Sequence, residues 1–73
     1  MNYKNYIQRT PDILLGKPVI KGTRISVEQI LRKLAEGYTI EDLLQSYPHL
    51  TKEQIQAVFE YVADMIAHET PMD

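Results

Sequence analysis

The chain contains no cysteine. Disulfides are therefore excluded, as is any metal site built on thiolates. No apolar run approaches the roughly 18 residues that a membrane-spanning helix needs. Met1–Thr10 is polar and aromatic, without the apolar stretch of a signal peptide. The expected location is the cytoplasm. Enzyme signatures are missing too. His49 follows Pro48 in a turn, and His68 stands four residues after Asp64, a spacing that more often means a surface pair than a metal site. Gly16-Lys17-Pro18 lacks the glycine spacing and the following Ser or Thr of a phosphate-binding loop. No Ser, His and Asp set forms a triad, and so small a chain has little room for a water-excluding pocket. The expectation is a non-enzyme without metal or cofactor.

Cations are nearly absent from one half. Met1–Lys33 holds Lys4, Arg9, Lys17, Lys21, Arg24, Arg32 and Lys33 against Asp12 and Glu28, a net charge of +5. Leu34–Asp73 holds Lys52 alone against eight acids, a net charge of −7. The overall −2 hides this asymmetry, which points to charged partners.

At 73 residues, 44% hydrophobic and 25% charged, this is one soluble-type domain. A chain so short buries only about 60% of its unfolded surface. Its core alone supports on the order of a few kcal/mol. With no disulfide or metal to help, a homodimer or a standing partner is expected.

Three helix starts are written in the same way. Ser26-Val-Glu-Gln29, Thr39-Ile-Glu-Asp42 and Thr51-Lys-Glu-Gln54 each read as a capping box. Each is flanked by the pair of a hydrophobic staple: Ile25 with Ile30, Tyr38 with Leu43, Leu50 with Ile55. Gly37 stops the first helix, and Pro48 disfavours helical geometry at Tyr47 and closes the second. The predicted helices run near 27–36, 40–46 and 52–67. The spacing of Ile55, Val58, Phe59, Val62 and Ile66 predicts the inward stripe of the last helix. Tyr61 and Met65 fall off that stripe and suit either single exposure or a dimer seam. Ahead of the helices, Ile13–Leu15 and Val19–Ile20 flank Gly16-Lys17, the pattern of a short edge hairpin with a type II′ turn. Tyr6-Ile7 is a candidate for a further strand. The domain reading is an arm or short strand over 1–12, a hairpin plus three helices over 13–68, and a tail over 69–73.

Gly16-Lys-Pro-Val-Ile-Lys-Gly-Thr-Arg-Ile25 resembles a known signature. It is similar to domain-of-unknown-function family 433, short bacterial and archaeal proteins linked to antitoxins of the VapB type. The resemblance continues through Ala35–Gly37, Glu41–Leu44, Tyr47-Pro48, Leu50-Thr51 and Ile55 to Tyr61, and spans roughly Pro11–Ala63. Leu15 departs from it, standing where the family usually has a glycine. The resemblance implies a mainly α, homeodomain-like three-helix fold (helix-turn-helix) behind a short β-hairpin, often dimeric. It also implies pairing with a PIN-like ribonuclease toxin, with operator DNA as a second partner.

Candidate sites follow from charge and position. Lys17, Lys21, Arg24, Arg32 and Lys33 form the better cationic surface, suited to phosphate contacts. Arg24 also suits an internal pair with an acid such as Glu28. The outward positions of helix three, Lys52, Glu53, Gln56, Glu60 and Asp64, are net acidic, which argues against groove insertion. Only Lys52 and Gln56 suit DNA there. Glu53, Glu60 and Asp64, with Tyr61 and Met65, are the candidate surface for a protein partner. Those acids can mimic the polyanionic substrate of a nuclease or simply form a solvated face. The alternative function is an interaction and dimerisation module with no DNA role.

Overall fold

The structure, a computed structural model, describes residues 3–68. The tail expected over 69–73 lies outside the described residues. The chain folds as three helices and a two-stranded antiparallel sheet, mostly helical.

The helices stand close to where the caps place them: α1 is Val27–Ala35, α2 is Ile40–Ser46 and α3 is Lys52–Ala67. Thr39 and Thr51 make complete capping boxes with Asp42 and Gln54. At α1 the box is half made. Ser26 Oγ accepts from the Gln29 amide at 2.9 Å, but the Gln29 side chain donates to the Tyr47 hydroxyl at 2.6 Å. The reciprocal bond is lost to a tertiary partner 18 residues away. Gly37, at φ 104°, ends α1 in a Schellman motif. The Tyr38 amide donates to the Lys33 carbonyl and the Gly37 amide to that of Leu34. No helix among the described residues is long and apolar enough to cross a membrane.

The sheet differs from the predicted hairpin. Strand β2, Val19–Ile20, pairs with β1, Ile7–Gln8, in the register Ile7 to Ile20 and Gln8 to Val19. Ile13–Leu15 is not a strand. Leu14–Gly16 is a tight 3-10 turn in which Leu14 and Leu15 take φ 48° and 57°. The reason is burial: pairing through Ile7 puts two apolar side chains, 8% and 0% exposed, on the core, whereas Leu15 is 95% exposed. The predicted boundary after residue 12 thus has one sheet strand on either side of it.

The far side of β2 meets Ser26 in a single bridge. The Ile20 amide donates to the Ile25 carbonyl, and the Val27 amide to that of Pro18. The start of α1 is therefore pinned to the sheet. Between them a turn closes from the Thr23 amide to the Ile20 carbonyl, with Gly22 at φ 81° in its third position as a type II turn requires. Thr23 Oγ1 donates to the Ile20 carbonyl and accepts from the Ile25 amide. Lys-Gly-Thr-Arg-Ile is thus a structural turn.

Ile20, Ile30, Leu43, Ile55 and Val58 form the centre of the core, each almost wholly buried. Phe59 and Ile66 do not join it: they are 42% and 59% exposed. The predicted stripe is wrong at those two positions. The inward face of α3 is instead Ile55, Val58, Tyr61 and Val62, with Ala57 buried beside it. The face is turned because the N-terminal segment packs on α3, Tyr3 meeting Tyr61 edge to face at 5.5 Å. Helical periodicity carries no trace of an element 58 residues away.

Candidate interface for nucleic acid and protein partners

The cationic surface divides into partnered and unpartnered side chains. Glu28, in the first turn of α1, holds Lys17 Nζ at 3.1 Å and Arg32 Nε at 2.9 Å. Those two cations, with Lys17 first reached from the loop before β2, are brought together on one carboxylate. Arg32 and then Lys17 keep the Glu28 carboxyl below its usual range through charged hydrogen bonds. Lys33 stands over the Tyr38 ring, 4.8 Å from its centroid.

Arg24 does not pair with Glu28. It is exposed and has no partner among the described residues, because Glu28 is already occupied. Lys21 is similar: its backbone amide donates to the Tyr6 carbonyl at 2.7 Å, which fixes its base, while its side chain is exposed without a partner among the described residues. Lys52 and Gln56 are exposed on the first turns of α3. An apolar cleft of about 230 Å³ separates Thr23 and Ile25 from Tyr47, Pro48, Leu50 and Gln54. Arg24, between two lining residues, and the start of α3 therefore flank one cleft.

The acidic candidates also separate. Glu53 is exposed. Glu60 is engaged within the chain. Asp64 is committed inside the subunit: its carboxylate accepts from the Tyr3 hydroxyl at 2.6 Å and lies 3.6 Å from His68 Nδ1. That hydrogen bond, more than desolvation, raises the Tyr3 pKa above its ordinary value. Tyr61 packs half-buried on the core, with its hydroxyl 3.5 Å from an Arg9 amino group. Met65 is 50% exposed.

Arg9 and Tyr3 carry no signal in the sequence. Arg9 Nε donates to the Gly16 carbonyl at 3.0 Å, so one guanidinium joins the Leu14–Gly16 turn to α3. Both contacts are long-range and leave no periodicity to find. Phe59 and Ile66 did leave one, a spacing of seven, which fits an outer helical stripe as well as an inner one.

This fold, with its signature turn between β2 and α1, is that of a described family of unassigned role. Residues 7–62 match the family model described as "Protein of unknown function (DUF433)", and the chain belongs to that family. It is 34% identical over 58 residues to the uncharacterized protein y4eO of Sinorhizobium fredii (strain NBRC 101917 / NGR234). That match covers 80% of this chain and 26% of the relative, so the chain spans about a quarter of its length. The crystal structure of a DUF433 member protein from Anabaena variabilis ATCC 29413 superposes with a TM-score of 0.80 at 34% identity. It covers 84% of this chain and 60% of that one.

Proposed function

We propose that this chain is an antitoxin-like, homeodomain-like binding protein of the cytoplasm, not an enzyme, that neutralises a PIN-like ribonuclease toxin and holds operator DNA. A homodimer is its working unit. The observation that carries the nucleic-acid role is the hydrogen-bonded Ile20–Thr23 turn, beside which Lys21 and Arg24 stand exposed and unpartnered among the described residues. A rigid base under unpaired cations lowers the ordering cost of a phosphate contact. Lys33 and Lys52 extend that surface, while Lys17 and Arg32 contribute less because Glu28 offsets their charge. The toxin role rests on the resemblance of the Gly16–Ile25 block, with Glu53 and Met65 candidate partner residues that stand exposed on α3.

Binding to the DNA upstream of the gene, measured by fluorescence anisotropy across salt concentrations, tests the first role. Each lost phosphate contact lowers the salt slope by about 1. Lys21→Glu with Arg24→Glu is expected to lower it by about 2 and to leave the circular dichroism unchanged. An unchanged slope removes these residues from the interface. Purification from the native host, with assay of any co-purifying ribonuclease, tests the second role.

A second reading, an interaction and dimerisation module with no DNA role, is favoured by Glu28, which pairs with two of the candidate cations internally and offsets part of their charge. Absence of promoter binding even at low salt would select it.

A further inference from the structure

The cleft between the β2–α1 turn and the corner joining α2 to α3 has a size and a lining that narrow its ligand. Ile25, Tyr47, Pro48 and Leu50 supply its apolar lining. Its volume of about 230 Å³ lies below the roughly 300–1,000 Å³ of pockets that hold drug-sized ligands. It takes one side chain or one ring system. Two observations favour a flat ring. Tyr47, where α2 ends, is held at both of its oxygens: its hydroxyl accepts from Gln29 Nε2 at 2.6 Å and its carbonyl from the Leu50 amide at 2.8 Å. A ring already ordered is a stacking platform with little left to immobilise. Gln54, also in the lining, is half committed. Its Oε1 accepts from the Thr51 amide at 2.8 Å, which fixes the side chain, and its Nε2 has no partner among the described residues. Those free donors match the acceptors on the edge of a nucleobase.

Charge selects the kind of ligand that carries the ring. The wall made by Thr23 and Ile25 belongs to the turn in which Lys21 and Arg24 stand exposed and unpartnered among the described residues. The opposite wall ends at Gln54, beside the exposed Glu53. A polyanion is therefore favoured along the turn and disfavoured along α3. A base inside a duplex is paired and stacked, and it cannot enter a cleft without being extruded. The net acidic outer positions of α3 offer no helix for a groove either. An unpaired strand meets both demands, since cations that track a backbone beside an aromatic platform are how single strands are held.

We propose that this cleft binds one base of a single-stranded nucleic acid, stacked on Tyr47, with the flanking phosphates on Lys21 and Arg24. The proposal rests on the nucleic-acid reading above and narrows its ligand to an unpaired stretch of strand. Fluorescence anisotropy at low salt tests it, with labelled oligo-dT and oligo-U, an abasic strand of equal length, and a duplex of the upstream DNA. Oligo-dT or oligo-U is expected to bind more tightly than the abasic strand, by roughly 5-fold to 150-fold, the range for one stacked base. The tighter of the two names the sugar. Tyr47→Leu is expected to lose this preference and Tyr47→Phe to keep it. The comparison of strands uses the unmodified chain, so it decides the matter even where Tyr47→Leu fails to fold. Equal affinity for the base-bearing and abasic strands overturns the base site and leaves the phosphate contacts standing. Tighter binding of the duplex than of any single strand overturns it too, and leaves the operator role standing. No binding to any of the four removes the nucleic-acid reading and this site with it, and the cleft then suits an apolar side chain of a protein partner.

Discussion

The two parts of this domain are specified in different ways. From Ser26 onward, each helix carries its own start signal within four residues; at α2 and α3 the signal is complete within those residues, while at α1 the Gln29 half of it goes to Tyr47. Residues 3–25 have almost no regular structure of their own, only two strands of two residues and two short 3-10 turns. They are held by distant contacts: Tyr3 to Asp64, Arg9 to Tyr61, the Lys21 amide to Tyr6 and the Pro18 carbonyl to Val27. Local signals specify the helices; the N-terminal region is specified by what it lies against. The family signature falls in the second region, at the junction with the first.

The largest test of this contrast is whether the parts unfold together. Ile20 in β2 and Ile55 in α3 are 0% and 2% exposed and belong to one core cluster. Ile20→Ala and Ile55→Ala are each expected to cost roughly 2–5 kcal/mol, the range for truncating a buried isoleucine. A small domain has little more than that to lose, so both variants should fail to fold at ambient temperature by circular dichroism. If Ile20→Ala leaves helix melting unchanged, the sheet is an appendage. Phe59→Ala separates the inner from the outer face of α3. It should cost well below the roughly 3–5 kcal/mol of a buried phenylalanine, because Phe59 retains 42% exposure.

Cap variants are expected to have smaller effects. Thr39→Ala and Thr51→Ala should each cost about 1 kcal/mol, read from urea midpoints at constant slope. Gln29→Ala should spare the α1 cap, since Ser26 is the acceptor there, and lose only the Tyr47 tether. A Gln29 effect as large as the Thr51 effect would mean that α1 uses a full capping box in solution.

These features also explain how much was readable in advance. The caps and stops are short-range, so all three helices were legible to within about a residue. The membership signature was legible because Gly22 and Thr23 serve one turn. The sheet was legible only in part: strands at Val19–Ile20 and at Tyr6-Ile7 were expected, but not their pairing, because Ile7 and Ile13 look alike as apolar positions. Only burial against Ile20 distinguishes them. In the candidate site, the list of cations was legible, but their pairing was not. Glu28 is four residues from Arg24 and from Arg32, and the sequence offers no means of choosing between them. The structure chooses Arg32 and adds Lys17.

Leu15 is a local conflict within the N-terminal region. Two consecutive leucines with positive φ are costly, on the order of 1–2 kcal/mol for each such residue, and Leu15 is almost wholly exposed. Leu15→Gly removes the steric cost but adds the chain entropy of glycine, about 0.5–1 kcal/mol. The net expectation is a gain of up to about 1 kcal/mol, visible as a small rise in melting temperature. A loss would show that the Leu15 side chain has a covering partner in solution.

The smallest effects come from two exposed contacts that tie the regions together, and they have opposite signs. Glu28 has a lowered pKa, so its pairing stabilises the fold above the ordinary carboxylate range and is lost as pH falls through the folded value. Tyr3 has a raised pKa, so its bond to Asp64 stabilises below a pH of about 10 and is lost as pH rises through the higher folded value. Glu28→Gln should therefore flatten only the acid limb of a stability profile, and Tyr3→Phe only the alkaline limb. Screening by solvent keeps both effects small. The alkaline limb is the more informative of the two. Tyr3 reaches across 61 residues to α3, so a profile unmoved by Tyr3→Phe would mean that the N-terminal turn is not held on that helix in solution.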